Sequence, residues 1–440
     1  MTPAPPAPVP LSADDITGPL RQMFPEEWLR QTARATGLIK RERKIDPVAF
    51  FWILVLSYSV QVQRTLVALK DSYRVQTGHT LSDGSWYERF SPELVRFLHA
   101  CVVRGMEQLA ASSHQPLAPR LERFQDILIH DTTVFRLHAK LAKKWPATRT
   151  RVRAAGVKVG TLLSVIANGP KRVAIYGERT GEIHTLRVGP WVKDRLLLFD
   201  LGLYKFHLFA RIGENGGSFV SRLKDSSDPL LLGSLTVHRG RAVDLAGKRW
   251  KEVQPRLRRE ALDAQVELTM TRRAYRGARK KEPLRLRLVA VYNEEARRYH
   301  VYLTNIPPEE LTAEEVASLY ACRWEIELVF KELKSRYALD KVKTTNPQVV
   351  EALIWTAFLT MVVSRRLYTL SWHRLSPEKR PRLTRQRWAK RFVDRASVLL
   401  RGVLKACQID YDWNLATAFD ESEALDPHVN RERLQDRWSA

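Results

Sequence analysis

The stretch RLLLFDLG, Arg195–Gly202, sets four apolar residues in a row against an acid and a glycine. A short run without polar alternation reads as a strand buried on both faces, as in a sheet covered by helices. Asp200 ends the run, and Gly202 permits a tight turn after it. Upstream, DILIHDTTVFRLH (Asp126–His138) reads as a strand with an acid, Asp131, inside it. VKVGTLLSVIANGPKRVAIYGE (Val157–Glu178) reads as two strands joined at Asn168-Gly169. Downstream, YKFHLFARIG (Tyr204–Gly213) has helical spacing and GSFVSRLK (Gly217–Lys224) reads as a further strand. The order implies an α/β unit around a mixed sheet.

AQVELTMTRRA (from Ala264), PLRLRLVAVYN (from Pro283) and YHVYLTNI (from Tyr299) alternate like antiparallel strands and interrupt the α/β order. LYACRWEIELVFKELKS (Leu319–Ser335) follows, without Gly or Pro, and reads as four to five continuous turns of helix. Thr312 and Glu315 have the spacing of a capping box before it. Tyr320, Arg323, Glu327 and Lys334 fall within a ~60° arc of that helix at about 100° per residue. Leu319, Ile326, Val329, Phe330 and Leu333 form the adjoining apolar face. Taken alone, such a stripe is the solvated edge of a half-buried helix.

The chain carries 73 Lys+Arg against 48 Asp+Glu, a net +25, and 44% of its residues are hydrophobic. That surplus points to a polyanion, nucleic acid before an anionic membrane. The apolar runs AFFWILVLSYSV (Ala49–Val60) and ALIWTAFLTMVV (Ala352–Val363) fall short of the ~20 residues of a bilayer span, so buried core helices are expected. The opening MTPAPPAPVP lacks the pattern of a signal peptide and reads as a disordered lead. Cys101, Cys322 and Cys407 are too scattered for a disulfide framework or a zinc site and suit a reducing cytosol. No glycine-rich phosphate loop supports ATP-driven chemistry. Asp131, Asp200 and Glu327 are the acids whose contexts stand out, because a carboxylate at a buried strand is costly unless partnered. Brought together they would suit Mg²⁺ or Mn²⁺, since oxygen-only ligands favour hard cations. Two such ions are a known device for phosphodiester chemistry.

Tyr320, Arg323, Glu327 and Lys334, with Asp131 in IHDTT and Asp200 in FDLG ahead of a β-rich insertion, resemble the Y-R-E-K signature of DDE transposases of the insertion sequence 4 family. The resemblance covers roughly residues 124–367. It departs from the family after Gly202, where Leu203 precedes the aromatic Tyr204.

The resemblance implies an RNase H-like mixed-sheet catalytic core with an inserted antiparallel β-rich subdomain, flanked by helical N- and C-terminal regions. The expected divisions are 1–10 (lead), 11–120 (helical, DNA-binding), 121–224 (core, first part), 225–312 (β-rich insertion), 313–370 (core, second part) and 371–440 (helical region and tail). It also implies cut-and-paste transposition in the prokaryotic cytoplasm, at the nucleoid, by a homodimer acting on terminal inverted repeats and target DNA. Asp131, Asp200 and Glu327 would hold two Mg²⁺ ions, with Mn²⁺ able to substitute. Tyr320, Arg323 and Lys334 would contact phosphates, and Trp324 could stack on an unpaired base. A nuclease that cuts without joining, or an inactive transposase-derived DNA-binding protein, are the alternatives. Val67–Val103 could hold a helix-turn-helix or an ordinary helical hairpin. Lys140–Arg153, Thr271–Lys281 and Arg385–Arg391 are basic clusters suited to tracking DNA.

Overall fold

The apolar run Arg195–Phe199 is a strand in the computed structural model, which describes residues 12–41, 45–58, 60, 65–112, 117–149, 154–235, 237–238, 241–272 and 280–409. The proline-rich lead and the polar tail lie outside these residues, as do residues 150–153 and 273–279 of two basic clusters.

In chain order the strands are β1 (Asp126–Leu137), β2 (Ala155–Ser164), β3 (Gly169–Gly177), β4 (Arg195–Phe199), β5 (Ser218–Arg222), β6 (Leu230–Ser234), β7 (Val237–His238), β8 (Arg241–Ala242), β9 (Ala261–Arg272), β10 (Lys280–Asn293) and β11 (Arg298–Thr304). The helices are α1 (Ala13–Met23), α2 (Glu26–Ala35), α3 (Pro47–Ile53), α4 (Leu66–Thr77), α5 (Asp83–Tyr87), α6 (Pro92–Ser112), α7 (Phe206–Glu214), α8 (Trp250–Val253), α9 (Ala313–Ala321), α10 (Trp324–Ser335), α11 (Pro347–Arg374) and α12 (Arg385–Ala406). The described residues divide into two compact units, one of 12–98 with 391–409 and the other of 99–390.

The first unit is helical. Its core is aromatic: Phe50 meets the edge of Trp86 at 5.5 Å, and Phe24 packs on Phe51 at 4.8 Å. Asp46 caps α3 through the amides of Val48 and Ala49. The apolar run continues from α3 into a π-helical turn, Leu54–Tyr58, every residue of which is buried. Between Val67 and Val103 lie α4, closed by left-handed Gly78, the short α5 and the start of α6.

The second unit is built on a nine-stranded sheet, order β3-β2-β1-β4-β5-β11-β10-β9-β6. β1, β4 and β5 run parallel, while β2 and β3 join antiparallel. Asn168 takes a left-handed conformation (φ 51°) at the β2–β3 turn, as the Asn-Gly pair anticipates. Phe199, Phe209 and Phe219 stack beneath the parallel strands, Phe209 on Phe219 at 4.6 Å. The insertion is antiparallel as expected, and β11 pairs with β5, so it extends the core sheet at its edge. Asn305 stitches that seam by accepting from Phe219 N–H (3.0 Å) and donating to Gly217 C=O (2.9 Å). Inside the insertion, buried Arg287 forks onto Asp263 at 2.8 and 2.5 Å.

The expected single helix over Leu319–Ser335 is interrupted. α9 ends at Ala321 and α10 begins at Trp324. Cys322 N–H bonds to Leu319 C=O and Arg323 N–H to Tyr320 C=O, both three residues back, which tightens the turn. No breaker residue causes this. The reason is tertiary: α9 packs on β5, β9, β10 and β11, whereas α10 packs on β1 and α11.

α11 is 28 residues long and apolar enough to cross a membrane by length and composition, yet most of it is buried inside the protein. It also carries Arg365, buried and ion-paired with buried Glu332 of α10. The Tyr337 hydroxyl bonds Glu332 (3.1 Å) and Ser364 (2.9 Å) in the same network. Enclosed for most of its length and ion-paired through Arg365 to α10 of the same unit, α11 is a core helix.

His130, the residue before Asp131, is buried in β1 and shares a hydrogen bond with Thr185 Oγ1 at 2.9 Å. Burial, helped by nearby Arg172, pushes its pKa down to about 4. The folded state therefore keeps His130 neutral where the unfolded chain would protonate it.

Two outcomes are expected. Glu332→Gln should lower stability by ~3–5 kcal/mol in urea unfolding, because Arg365 is left uncompensated, and Glu332→Leu combined with Arg365→Met should recover most of it. Because the folded pKa of His130 is depressed, its contribution is present above pH 6.5 and is lost as pH falls toward 4. Unfolding at pH 7.5 and pH 5 should therefore show His130→Gln losing about 2 kcal/mol less than the parent.

Candidate active site

The parallel pairing of β1 and β4 ends with His130 opposite Phe199. One residue further along each strand come Asp131 and Asp200. Neighbouring strands lie about 4.8 Å apart, and in-register residues of parallel strands share a face. The two aspartates therefore leave the same sheet face side by side. Asp200 remains extended (ψ 176°) before the 3₁₀ turn Leu201–Leu203.

Asp131 accepts the backbone N–H of Thr132 at 2.7 Å. Its pKa is pushed up to about 6, first by burial and then by the charges of Glu182 and Asp200, against the opposing pull of Thr132 N–H and Arg323. A half-buried carboxyl near other carboxylates holds its charge poorly without a cation.

Glu327 comes from α10, which crosses β1. Arg323 Nη2 donates to Glu327 Oε1 at 2.7 Å. Burial works against the Arg323 charge, but the Glu327 hydrogen bond and the nearby Tyr320 and Asp200 outweigh it and raise the pKa. Arg323 thus feels both Glu327 and Asp200, and Asp131 feels Arg323. Among the described residues, no three His, Cys, Asp or Glu side chains stand close enough to hold one ion as placed. The guanidinium of Arg323 is the positive charge that Asp131, Asp200 and Glu327 share.

The rest of the sequence stripe divides. Lys334 reaches β1, its Nζ 3.5 Å from Val134 C=O. Tyr320 turns inward with α9: it is 7% exposed, its ring lies 5.1 Å from that of Tyr302, and its hydroxyl is 3.5 Å from Phe199 C=O. Burial, with Asp200 adding to it, holds that phenol well above its ordinary pKa. Trp324 is 57% exposed, beside the arginine that anchors the acids. Of the basic clusters, Lys144 pairs with Glu351 and Arg385 with Glu325, so each spends a cation internally.

Two features were missed in the sequence. Gly202 has an ordinary negative φ, so its turn does not require glycine; a Cβ there would overlap the Glu182 carboxylate. Glu182 itself lies in GERTGEIHT, a loop without periodicity or motif, and nothing local marks it.

The sequence family described as "Transposase DDE domain" matches residues 122–363, which takes in all three acids. The transposase for insertion sequence element IS231B of Bacillus thuringiensis subsp. berliner is 22% identical over 78% of this chain and 79% of its own length. The transposase for insertion sequence element IS1151 of Clostridium perfringens is 20% identical over 78% of each. A solved piggyBac transposase synaptic complex with hairpin DNA is similar at a TM-score of 0.46 and 12% identity, over 98% of this chain and 90% of that one. With that match spanning more than half its length, this chain belongs to the DDE transposases.

Proposed function

We propose that this transposase moves an insertion sequence by cut and paste, cleaving DNA at the transposon ends and joining them to target DNA. Asp131, Asp200 and Glu327 are the groups that would hold divalent ions, two Mg²⁺ with Mn²⁺ as substitute. The observation that carries this reading is the register of β1 and β4, whose last pair is His130 with Phe199, so that Asp131 within β1 and Asp200 just past β4 follow it together. The donor chemistry fits. All three groups offer oxygen only, and Asp131 is a half-buried carboxyl near the charges of Glu182 and Asp200. When bound, the ions activate the attacking oxygen and stabilise the leaving one.

The chain's own residues orient and neutralise. Thr132 N–H fixes the Asp131 carboxylate through one of its oxygens. Arg323 balances Glu327 in the free protein, and its planar fork suits a DNA phosphate equally well, so it exchanges one anion for the other as DNA arrives. Lys334 adds a second phosphate contact further along α10. Exposed Trp324 offers a face on which an unpaired base stacks, as hairpin formation at a transposon end would require. Tyr320 acts from within, packing α9 behind the Phe199–Asp200 strand end. The Y-R-E-K grouping, a homodimer holding both ends, and action at the bacterial nucleoid complete the proposal. The net charge of +25 supports the DNA partner.

Cleavage of a donor duplex with its terminal repeats, followed on gels for nicked, hairpin and joined products, tests this. Asp131→Asn, Asp200→Asn and Glu327→Gln should each slow cleavage at least ~1,000-fold, a barrier increase of ~4 kcal/mol, as should chelation of Mg²⁺, while gel-shift affinity persists. Full activity in Asp131→Asn would overturn the mechanism. Trp324→Ala should keep the first nick and lose hairpin product. DNA affinity should fall by roughly 10³-fold or more between 50 and 200 mM salt.

A further inference from the structure

We propose that Glu182 is a fourth carboxylate of the active site, a positioning residue whose negative charge strengthens the hold of Asp131 and Asp200 on divalent cations. The inference rests on the metal-binding role proposed above for those two aspartates.

Glu182 stands near the backbone that follows each aspartate. On the β1 side, Thr132 Oγ1 donates toward Glu182 Oε1 at 3.4 Å, while the Thr132 amide donates to Asp131 at 2.7 Å. One threonine thus links the two acids, its backbone to one and its hydroxyl to the other. On the β4 side, the other Glu182 oxygen occupies the space a side chain at position 202 would need, directly after Asp200. A side chain at position 202 would therefore push the Glu182 carboxylate aside.

The loop carrying Glu182 is anchored on several sides. Glu182–His184 forms a 3₁₀ turn that packs on the Leu201–Leu203 turn. Thr185 closes it by donating its hydroxyl to Glu182 C=O at 2.6 Å, and the same hydroxyl meets buried His130 Nε2 at 2.9 Å. Lys158 of β2 donates to Thr180 C=O. These contacts tie the backbone of the loop to β1 and β2, and the Thr132 hydroxyl meets the Glu182 carboxylate.

Glu182 is half-buried and forms no ion pair among the described residues, in contrast to Glu327, which Arg323 neutralises. Like charge gathered near a site is unfavourable in the free protein and becomes favourable once a cation arrives. Glu182 therefore raises affinity for the ion without being required as a ligand.

The test is Mn²⁺ binding to the full-length protein without DNA, measured by titration calorimetry and by the free Mn²⁺ signal in electron paramagnetic resonance. Glu182→Gln keeps size and the Thr132 contact while removing charge, and should weaken Mn²⁺ binding about tenfold. Glu182→Asp should restore part of the loss. Gly202→Ala, which displaces the carboxylate, should weaken binding in the same direction. Cleavage by Glu182→Gln should need a correspondingly higher Mg²⁺ concentration and then recover. If Asp131→Asn abolishes Mn²⁺ binding while Glu182→Gln binds within twofold of the parent, the role of Glu182 is overturned. If Asp131→Asn also binds normally, the metal-site reading fails, and this inference with it.

Discussion

The parallel ladder between β1 and β4 is the constraint on which the site depends. Its last pair, His130 with Phe199, leaves Asp131 and Asp200 as the next residues on two strands locked at sheet spacing. Because side chains alternate along a strand, a slip of one residue would send one aspartate to the opposite face. The register is held by burial. Leu128, Ile129, Leu196, Leu198 and Phe199 are all fully enclosed, and Phe199 lies in the aromatic stack with Phe209 and Phe219. Hydrophobic packing therefore holds together two charges that would otherwise separate.

The electrostatics follow from that enforced proximity. Asp131 is raised by burial, and Glu182 and Asp200 push it further. The protein relieves the strain with Arg323, delivered at the start of α10 and bonded to Glu327. α10 is held by the buried Glu332–Arg365 pair and the Tyr337–Ser364 hydrogen bond behind it. A deeply buried ion pair in the helix hairpin and a half-exposed one at the site thus share one short helix, five residues apart. The inner pair fixes the helix, and the outer one can exchange partners.

Much of the fold was legible because buried strands and amphipathic helices leave periodic marks. The strand through Asp131, the strand that ends just before Asp200, the Asn168-Gly169 turn, α7 and the antiparallel strands β9 to β11 are where their patterns place them. What escaped were features set by contacts distant in sequence. The break at Cys322–Arg323 exists because α9 and α10 face different strands, and Tyr320 is buried on its α9 side with the Arg323 guanidinium 5.9 Å from its ring. The joining of β11 to β5 depends on edge pairing, which no local pattern encodes. Gly202 reads in the sequence as a turn residue, yet its φ is ordinary and the Glu182 carboxylate lies in the space a side chain there would take.

The sequence by itself determined that this is a basic α/β chain with three acids in the order and context of a DDE transposase. Local hydrophobic pattern, charge and motif spacing are properties of the chain in one dimension. Only the tertiary structure decided which charges meet: Asp131 with Asp200 across a ladder, Glu327 with Arg323 on one helix, and Glu182 against Thr132 and Gly202 from a loop without any motif. The physical reason is that electrostatic interaction depends on distance through space and on burial, and neither is written in the separation of residues along the chain.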